Sequence, residues 1–288
     1  MKKFTFKLWA VLLLMLVSLQ TFATDNEYGL KDNIQDGVIL HCFDWTYAQI
    51  KEELPNIAAA GFSAVQTSPA HPREPVGAAW YMLYQPYDYK VGENGLGTKE
   101  GLTELCTEAH QYGVKIIVDV VANHTNGSLS YVASFWQDKS LYHDYQGGID
   151  YSNRWQVTHG RLGMWDLKTE DSRVQEKIKE YVAELKSCGV DGIRWDAAKH
   201  IGLPSEGDTF WQNVPDQTMY NYGEILDGTG GDDTVSEKVE VVSQTTGVQL
   251  HPVAGESSAK AMIYNLQGQR VDANYRGVVV CNGRKYVQ

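Results

Sequence analysis

Apolar residues along the chain fall into three repeats of one pattern. In residues 50–60, 99–112 and 172–188 they recur at helical spacing; each stretch ends at a glycine (Gly61, Gly113, Gly189) and is followed by a short apolar run, 62–66, 114–121 and 190–196. The third stretch puts Val174, Ile178, Tyr181, Val182 and Leu185 on one face, and the second does the same with Leu102, Leu105, Cys106 and Ala109. A three-to-four residue period predicts a helix with one buried face. A glycine past the last turn supplies the left-handed cap that stops it, and a short apolar run reads as a buried strand. Residues 37–43 open the series with a further strand, and 219–225 add a fifth. Helices alternating with short buried strands predict a parallel sheet, either open and doubly wound or closed into a barrel.

The polar positions choose between the two. The run 115–121 leads into Asn123 and His124, the run after Gly189 ends at Arg194 and Asp196, and the fifth ends at Glu224. Polar groups gathered at the C-terminal ends of strands are the active face of a TIM barrel. An open sheet also binds ligands at that edge, but none of these helices opens with a glycine-rich phosphate loop. The predicted class is therefore α/β, of (β/α)8 TIM-barrel type, with about five βα units. One connection, about residues 125–170, is too long for an ordinary loop. It is rich in aromatics (Trp136, Tyr142, Tyr145, Tyr151, Trp155), a poor composition for disorder. It is expected to be a subdomain inserted after the third strand. Residues 24–230 make up the barrel domain. Residues 231–258, with a Gly/Asp-rich approach, are expected to be a linker. Residues 259–288 form a short β tail with Asn282-Gly283 as a hairpin turn.

The N-terminus adds a location. Lys2, Lys3 and Lys7 precede an apolar run over residues 8–17, with small residues at Thr21 and Ala23. This is the order of a secretory signal peptide, residues 1–23; the run is shorter than the roughly 20 residues that span a bilayer. The expectation is an exported protein, secreted, periplasmic or on the cell surface, with no transmembrane segment in the mature chain. About 265 residues remain, enough for one large core. A formal net charge of −11 argues against a nucleic-acid partner. Export permits disulfides, but the four cysteines fit no metal spacing, and Cys42 and Cys106 sit in apolar contexts that suit buried thiols.

Five short motifs then become specific. Asp119-Val120-Val121-Ala122-Asn123-His124 resembles the first conserved region of the α-amylase family of glycoside hydrolases, and Gly192-Ile193-Arg194-Trp195-Asp196-Ala197-Ala198-Lys199-His200 resembles the second. Tyr222-Gly223-Glu224 is similar to the third, Gly163-Met164-Trp165-Asp166-Leu167 to a motif of the inserted domain, and Tyr84-Gln85-Pro86 to a sugar-stacking segment after the second strand. They occur in the family's order across about residues 37–226. The resemblance implies a retaining hydrolase of internal α-1,4 bonds in starch- or glycogen-type glucans. That chemistry needs two carboxyls on either side of the scissile bond. By resemblance Asp196 is the nucleophile and Glu224 the general acid/base, with Arg194 beside them. Arg194, two residues before Asp196, shares its side of the strand and would lower the Asp196 pKa, whereas Glu224 must keep its proton near neutrality. His124, Tyr84, Gln85, Lys199 and His200 are implied to bind substrate, with Trp80 extending the Tyr84 platform. A calcium ion is implied at Asn123, Asp166 and the His200 carbonyl, pinning the insertion to the barrel; calcium favours several hard oxygens.

The resemblance breaks after Glu224. The family's fourth region, a His-Asp pair, has no counterpart: His251 is followed by Pro252, and Asp232 and Asp233 stand in the wrong context. Too few βα units follow to complete eight strands. The tail around residues 263–271 resembles C-terminal sorting tails of secreted bacterial proteins, which suggests a chain with its ends kept and its middle lost. The alternative to an active hydrolase is a weak or inactive α-glucan-binding remnant; a transglycosylating relative would share every motif.

Overall fold

The computed structural model describes residues 26–72 and 79–225, and the strand backbones at 263–265, 270–271, 278–281 and 284–287. The expected signal peptide, the whole of the expected linker with His251, Asp232 and Asp233, and the expected Asn282-Gly283 turn lie outside the described residues. The barrel-type sheet is built from β1 (Ile39–Cys42), β2 (Ala64–Thr67), β3 (Lys115–Val121), β6 (Gly192–Asp196) and β7 (Tyr220–Gly223). Between them in sequence stand α1 (Tyr47–Ala59), α2 (Lys99–Gln111), the two-residue strands β4 (His124–Thr125) and β5 (Trp165–Asp166), the short helix α3 (Arg154–His159), α4 (Ser172–Ser187) and the one-turn helix α5 (Phe210–Asn213).

Every neighbouring pair in the five-stranded sheet is parallel, and the strands follow one another in chain order, β1-β2-β3-β6-β7. A doubly wound sheet reverses its order at a switch point; this one never does. It also curls. The Tyr222 hydroxyl donates to Gln66 Oε1 at 2.5 Å across the inner face, although β7 and β2 are three strand spacings apart, about 14 Å in a flat sheet. Helices α1, α2 and α4 cover the outer face with the residues their periodicity assigns, among them Ile50, Leu54 and Ile57, then Leu102 and Leu105, then Ile178 and Leu185, all fully buried. Gly61, Gly113 and Gly189 hold φ of 87°, 74° and 93°, the left-handed turn that ends each helix. Thr46 caps α1 through a reciprocal box with Gln49.

The insertion has little regular structure. It holds three single-turn 3-10 helices, α3, and the antiparallel pair β4–β5. Its order comes from buried aromatics: Trp136 packs 4.7 Å from Tyr89 and donates its indole N–H to Asp88, and the Tyr142 hydroxyl donates to the Trp136 carbonyl. Cys42, Cys106 and Cys188 are buried free thiols. The strands β8 (Ile263–Asn265), β9 (Arg270–Val271), β10 (Val278–Cys281) and β11 (Arg284–Val287) form a separate antiparallel sheet in the order β11-β10-β8-β9. Among the described residues no helix is long and apolar enough to cross a membrane.

Candidate active site

Strand register brings the motifs together. Asp119 on β3 lies opposite Arg194 on β6, which lies opposite Tyr222 on β7; Val121 lies opposite Asp196. Arg194 is the hub. Its Nη1 donates to both oxygens of Asp119 (2.8 and 2.7 Å) and to Asp196 Oδ1 (2.9 Å), and its Nη2 pairs with Glu224 Oε1 at 2.5 Å. One guanidinium therefore holds three carboxyls, Asp119 inside β3 and, at the ends of β6 and β7, the expected nucleophile and acid/base. Glu224 is fixed from a second side: its Oε2 accepts from the Ala197 N–H at 3.1 Å, and its own N–H donates to the Trp195 carbonyl at 2.8 Å. Ala197 has a left-handed backbone, φ 49°, uncommon without glycine and a mark of functional sites. Gly223 lets β7 approach this turn, because a Cβ there would stand 2.7 Å from the Ala198 Cβ.

Burial pushes the Asp119 carboxyl up to about 7, against the pull of Arg194 and with the push of Asp196. Burial also raises Asp196; His124 and Arg194 oppose it, and Glu224 adds to it. The expectation that Arg194 sets the balance at Asp196 is thus corrected: its charge acts downward, but removing the carboxyl from water outweighs it.

The cleft above these groups encloses about 450 Å³. It is lined by Arg194, Asp196 and Glu224, by the expected Tyr84, Trp80, His124, Lys199 and His200, and by His41, Phe43 and Tyr151. Tyr84 presents a ring stacked on Phe43 (6.3 Å, 18°), and its hydroxyl donates to Asp119 Oδ2 at 3.0 Å. Trp80 is 52% exposed and meets Phe43 at 5.4 Å. His124 donates from Nε2 to the Tyr84 carbonyl at 3.0 Å, and burial lowers its pKa. The Lys199 ammonium stands 4.7 Å above the Tyr151 ring, and His200 donates from Nδ1 to the Val157 carbonyl at 2.7 Å. Gln85 is not part of the lining; its Oε1 accepts from Asn126 at 3.3 Å.

Sequence reasoning quoted Asp119 within the first motif and Tyr151 among the insertion's aromatics but gave neither a role in the site, and it did not single out His41, Phe43 or Tyr81. Asp119 had a signal, a charge inside the apolar run 115–121. His41 and Phe43 lie at the end of β1, where their parity faces them inward. His41 is kept neutral, its pKa lowered to about 4 by burial and by Arg194, and its Nε2 is buried without a partner among the described residues. Tyr151 had only its place in the insertion. Tyr81, 52% exposed, packs edge-on to Trp80.

The implied calcium ligands are partly assembled. Asn123 and Asp166 are buried and face each other, Nδ2 to Oδ1, at 3.1 Å across the β4 junction. The orientation of an asparagine amide is an assignment; turned over, it presents an oxygen beside the carboxylate, the hard pair that calcium takes. The second oxygen of Asp166 accepts from His143 Nδ1 at 2.7 Å, and His143 Nε2 reaches Glu170 at 3.1 Å. Burial would lower the His143 pKa, but these two bonds raise it to about 9. Burial raises Asp166 to about 6. Asn123 and Asp166 thus fit a calcium ion. Among the described residues no group of three or more His, Cys, Asp or Glu side chains could hold a metal by itself, so such an ion needs the amide and main-chain oxygens too.

Residues 44–277 match the family model of the α-amylase catalytic domain. The chain belongs to the α-amylase family. An α-amylase of Clostridium acetobutylicum is 40% identical over 227 residues, covering 72% of this chain and 30% of that protein. One of Butyrivibrio fibrisolvens is 32% identical over 246 residues, covering 71% and 25%. The chain therefore spans less than a third of the length of these α-amylases. Among solved structures, the α-amylase of Malbranchea cinnamomea aligns with a TM-score of 0.58 at 26% identity, over 68% of this chain and 49% of that one. The α-amylase I of Eisenia fetida in complex with maltohexaose aligns at 0.60 and 24%, over 70% and 47%. Both agree with the sequential, curled parallel sheet.

Proposed function

We propose that this chain is a retaining glycoside hydrolase that cleaves internal α-1,4 bonds of starch- or glycogen-type glucans. The observation that carries this reading is the convergence of Asp196 and Glu224 on the one Arg194 guanidinium, in an aromatic-walled cleft at the strand ends. In the first step an Asp196 oxygen attacks the anomeric carbon as the glycosidic bond breaks, and Glu224 gives its proton to the departing oxygen. In the second, Glu224 takes a proton from water, whose oxygen attacks the same carbon and releases Asp196. Arg194 orients both carboxyls. Tyr84 and Trp80 supply faces for sugar rings, and His124 hydroxyl contacts. Lys199 and His200 line the side from which the leaving sugar departs. The maltohexaose bound by the Eisenia fetida α-amylase is a ligand of this class.

Calcium held by Asn123, Asp166 and the His200 carbonyl would pin the insertion to the barrel. Export rests on the N-terminal charge and hydropathy pattern.

The stereochemistry tests the mechanism. Proton NMR of the first sugars released from a soluble α-glucan is expected to show the α anomer, which then mutarotates. Initial release of the β anomer would mean single displacement by water and would remove Asp196 from the nucleophile's role.

A further inference from the structure

The cleft accounts for the exposed Trp80 but not for Trp155, which is 53% exposed and outside the cleft lining. This indole is braced. Its face lies on His159 (4.7 Å, 22°) and its edge on Tyr145 (5.3 Å, 72°). The Tyr145 hydroxyl is tied to the Gly148 carbonyl at 3.1 Å, and His159 Nδ1 reaches the Trp155 carbonyl at 3.1 Å. A large apolar ring held open to solvent has paid the entropy of ordering before any ligand arrives.

The brace is also fixed to the cleft. Arg154, beside Trp155, forms a two-point ion pair with Glu206 (Nε–Oε1 2.9 Å, Nη2–Oε2 2.9 Å). It also donates to the carbonyls of Lys199 and Ile201, the turn after β6 that lines the cleft. Tyr151, four residues before Trp155, is itself part of the cleft wall. The aromatic surface therefore runs along one segment from the cleft edge to the outside of the insertion. The net charge of −11 disfavours a polyanionic partner, whereas the apolar face of a neutral sugar ring suits an open indole.

We propose that Trp155, backed by His159 and Tyr145, is a second glucan-binding platform outside the cleft, holding sugar units of a polymer whose other units enter it. This rests on the reading of the cleft as an α-glucan site. Two linked contacts raise the retention of a long polymer without changing the handling of a short one.

The test compares the full chain with Trp155→Ala and, because alanine could disturb the short helix, with Trp155→Gln and the conservative Trp155→Phe. Two readouts are taken: co-sedimentation with granular starch, and sugar release from maltopentaose. Retention is expected to fall about tenfold in Trp155→Ala and Trp155→Gln, and to return largely in Trp155→Phe, with maltopentaose release within twofold of wild type. Unchanged retention in both variants, with wild type binding and cutting, overturns the platform alone. A matching loss of maltopentaose release also overturns it, since Trp155 would then serve the cleft. A folded wild type that neither binds starch nor releases sugar overturns the cleft reading and the platform with it.

Discussion

Asp119 carries no place in the proposed bond-breaking steps, yet it fixes the residue that does the positioning. Fully buried, it accepts twice from Arg194 and once from Tyr84. Around it stand Arg194, Asp196 and Tyr84, and the same guanidinium pairs with Glu224 and acts electrostatically on His41. Its carboxyl titrates near 7 in the fold, well above the usual carboxylate range. The folded chain therefore holds a proton that the unfolded chain has released between about pH 4 and 7, so stability falls as pH rises through that window. Between pH 5 and pH 7.5 the melting temperature of Asp119→Asn should therefore gain on that of wild type, the Asp119 contribution being removed; an unchanged difference between the two across that range would count against it. Asp196, Arg194 and Glu224 were legible because their motifs stand at the ends of apolar runs. The net direction of the Asp196 shift was not, because it depends on how completely the surrounding elements exclude water, which spacing does not record.

At the level of elements, period and glycine punctuation located the three helices and the strands after them, with no bound moved by more than three residues. Capping explains part of the shift: Thr46 starts α1 three residues before the expected stretch because its side chain closes a box with Gln49. Thr46→Ala is expected to cost about 1 kcal/mol in chemical denaturation, and a value near zero would show the box to be ornamental. The insertion was legible as ordered but not as shape. Its conformation is set by side-chain contacts between residues far apart in sequence, such as Trp136 with Asp88 and Arg154 with Glu206, and these have no period. Arg154→Ala should loosen α3 against the turn after β6. Faster amide exchange over 154–159, with α4 unchanged, is the expected signature; unaltered exchange would place the anchoring elsewhere.

For the whole molecule, the barrel type was inferred from where polar residues fell, and the sequential parallel sheet agrees with it. If calcium joins the insertion to the barrel, excess chelator should lower the melting temperature at pH 7.5. The effect should shrink as pH falls through about 6, where Asp166 takes up its proton. No chelator effect at any pH, with no metal in the purified protein, would remove the ion from the account. The central claim, two carboxyls working through one arginine, is tested most directly by reducing-end release from soluble starch by wild type beside Asp196→Asn. The account predicts release by wild type and a loss of at least about a thousandfold in the variant, roughly 4 kcal/mol of transition-state stabilisation. Equal release by the two proteins would contradict it.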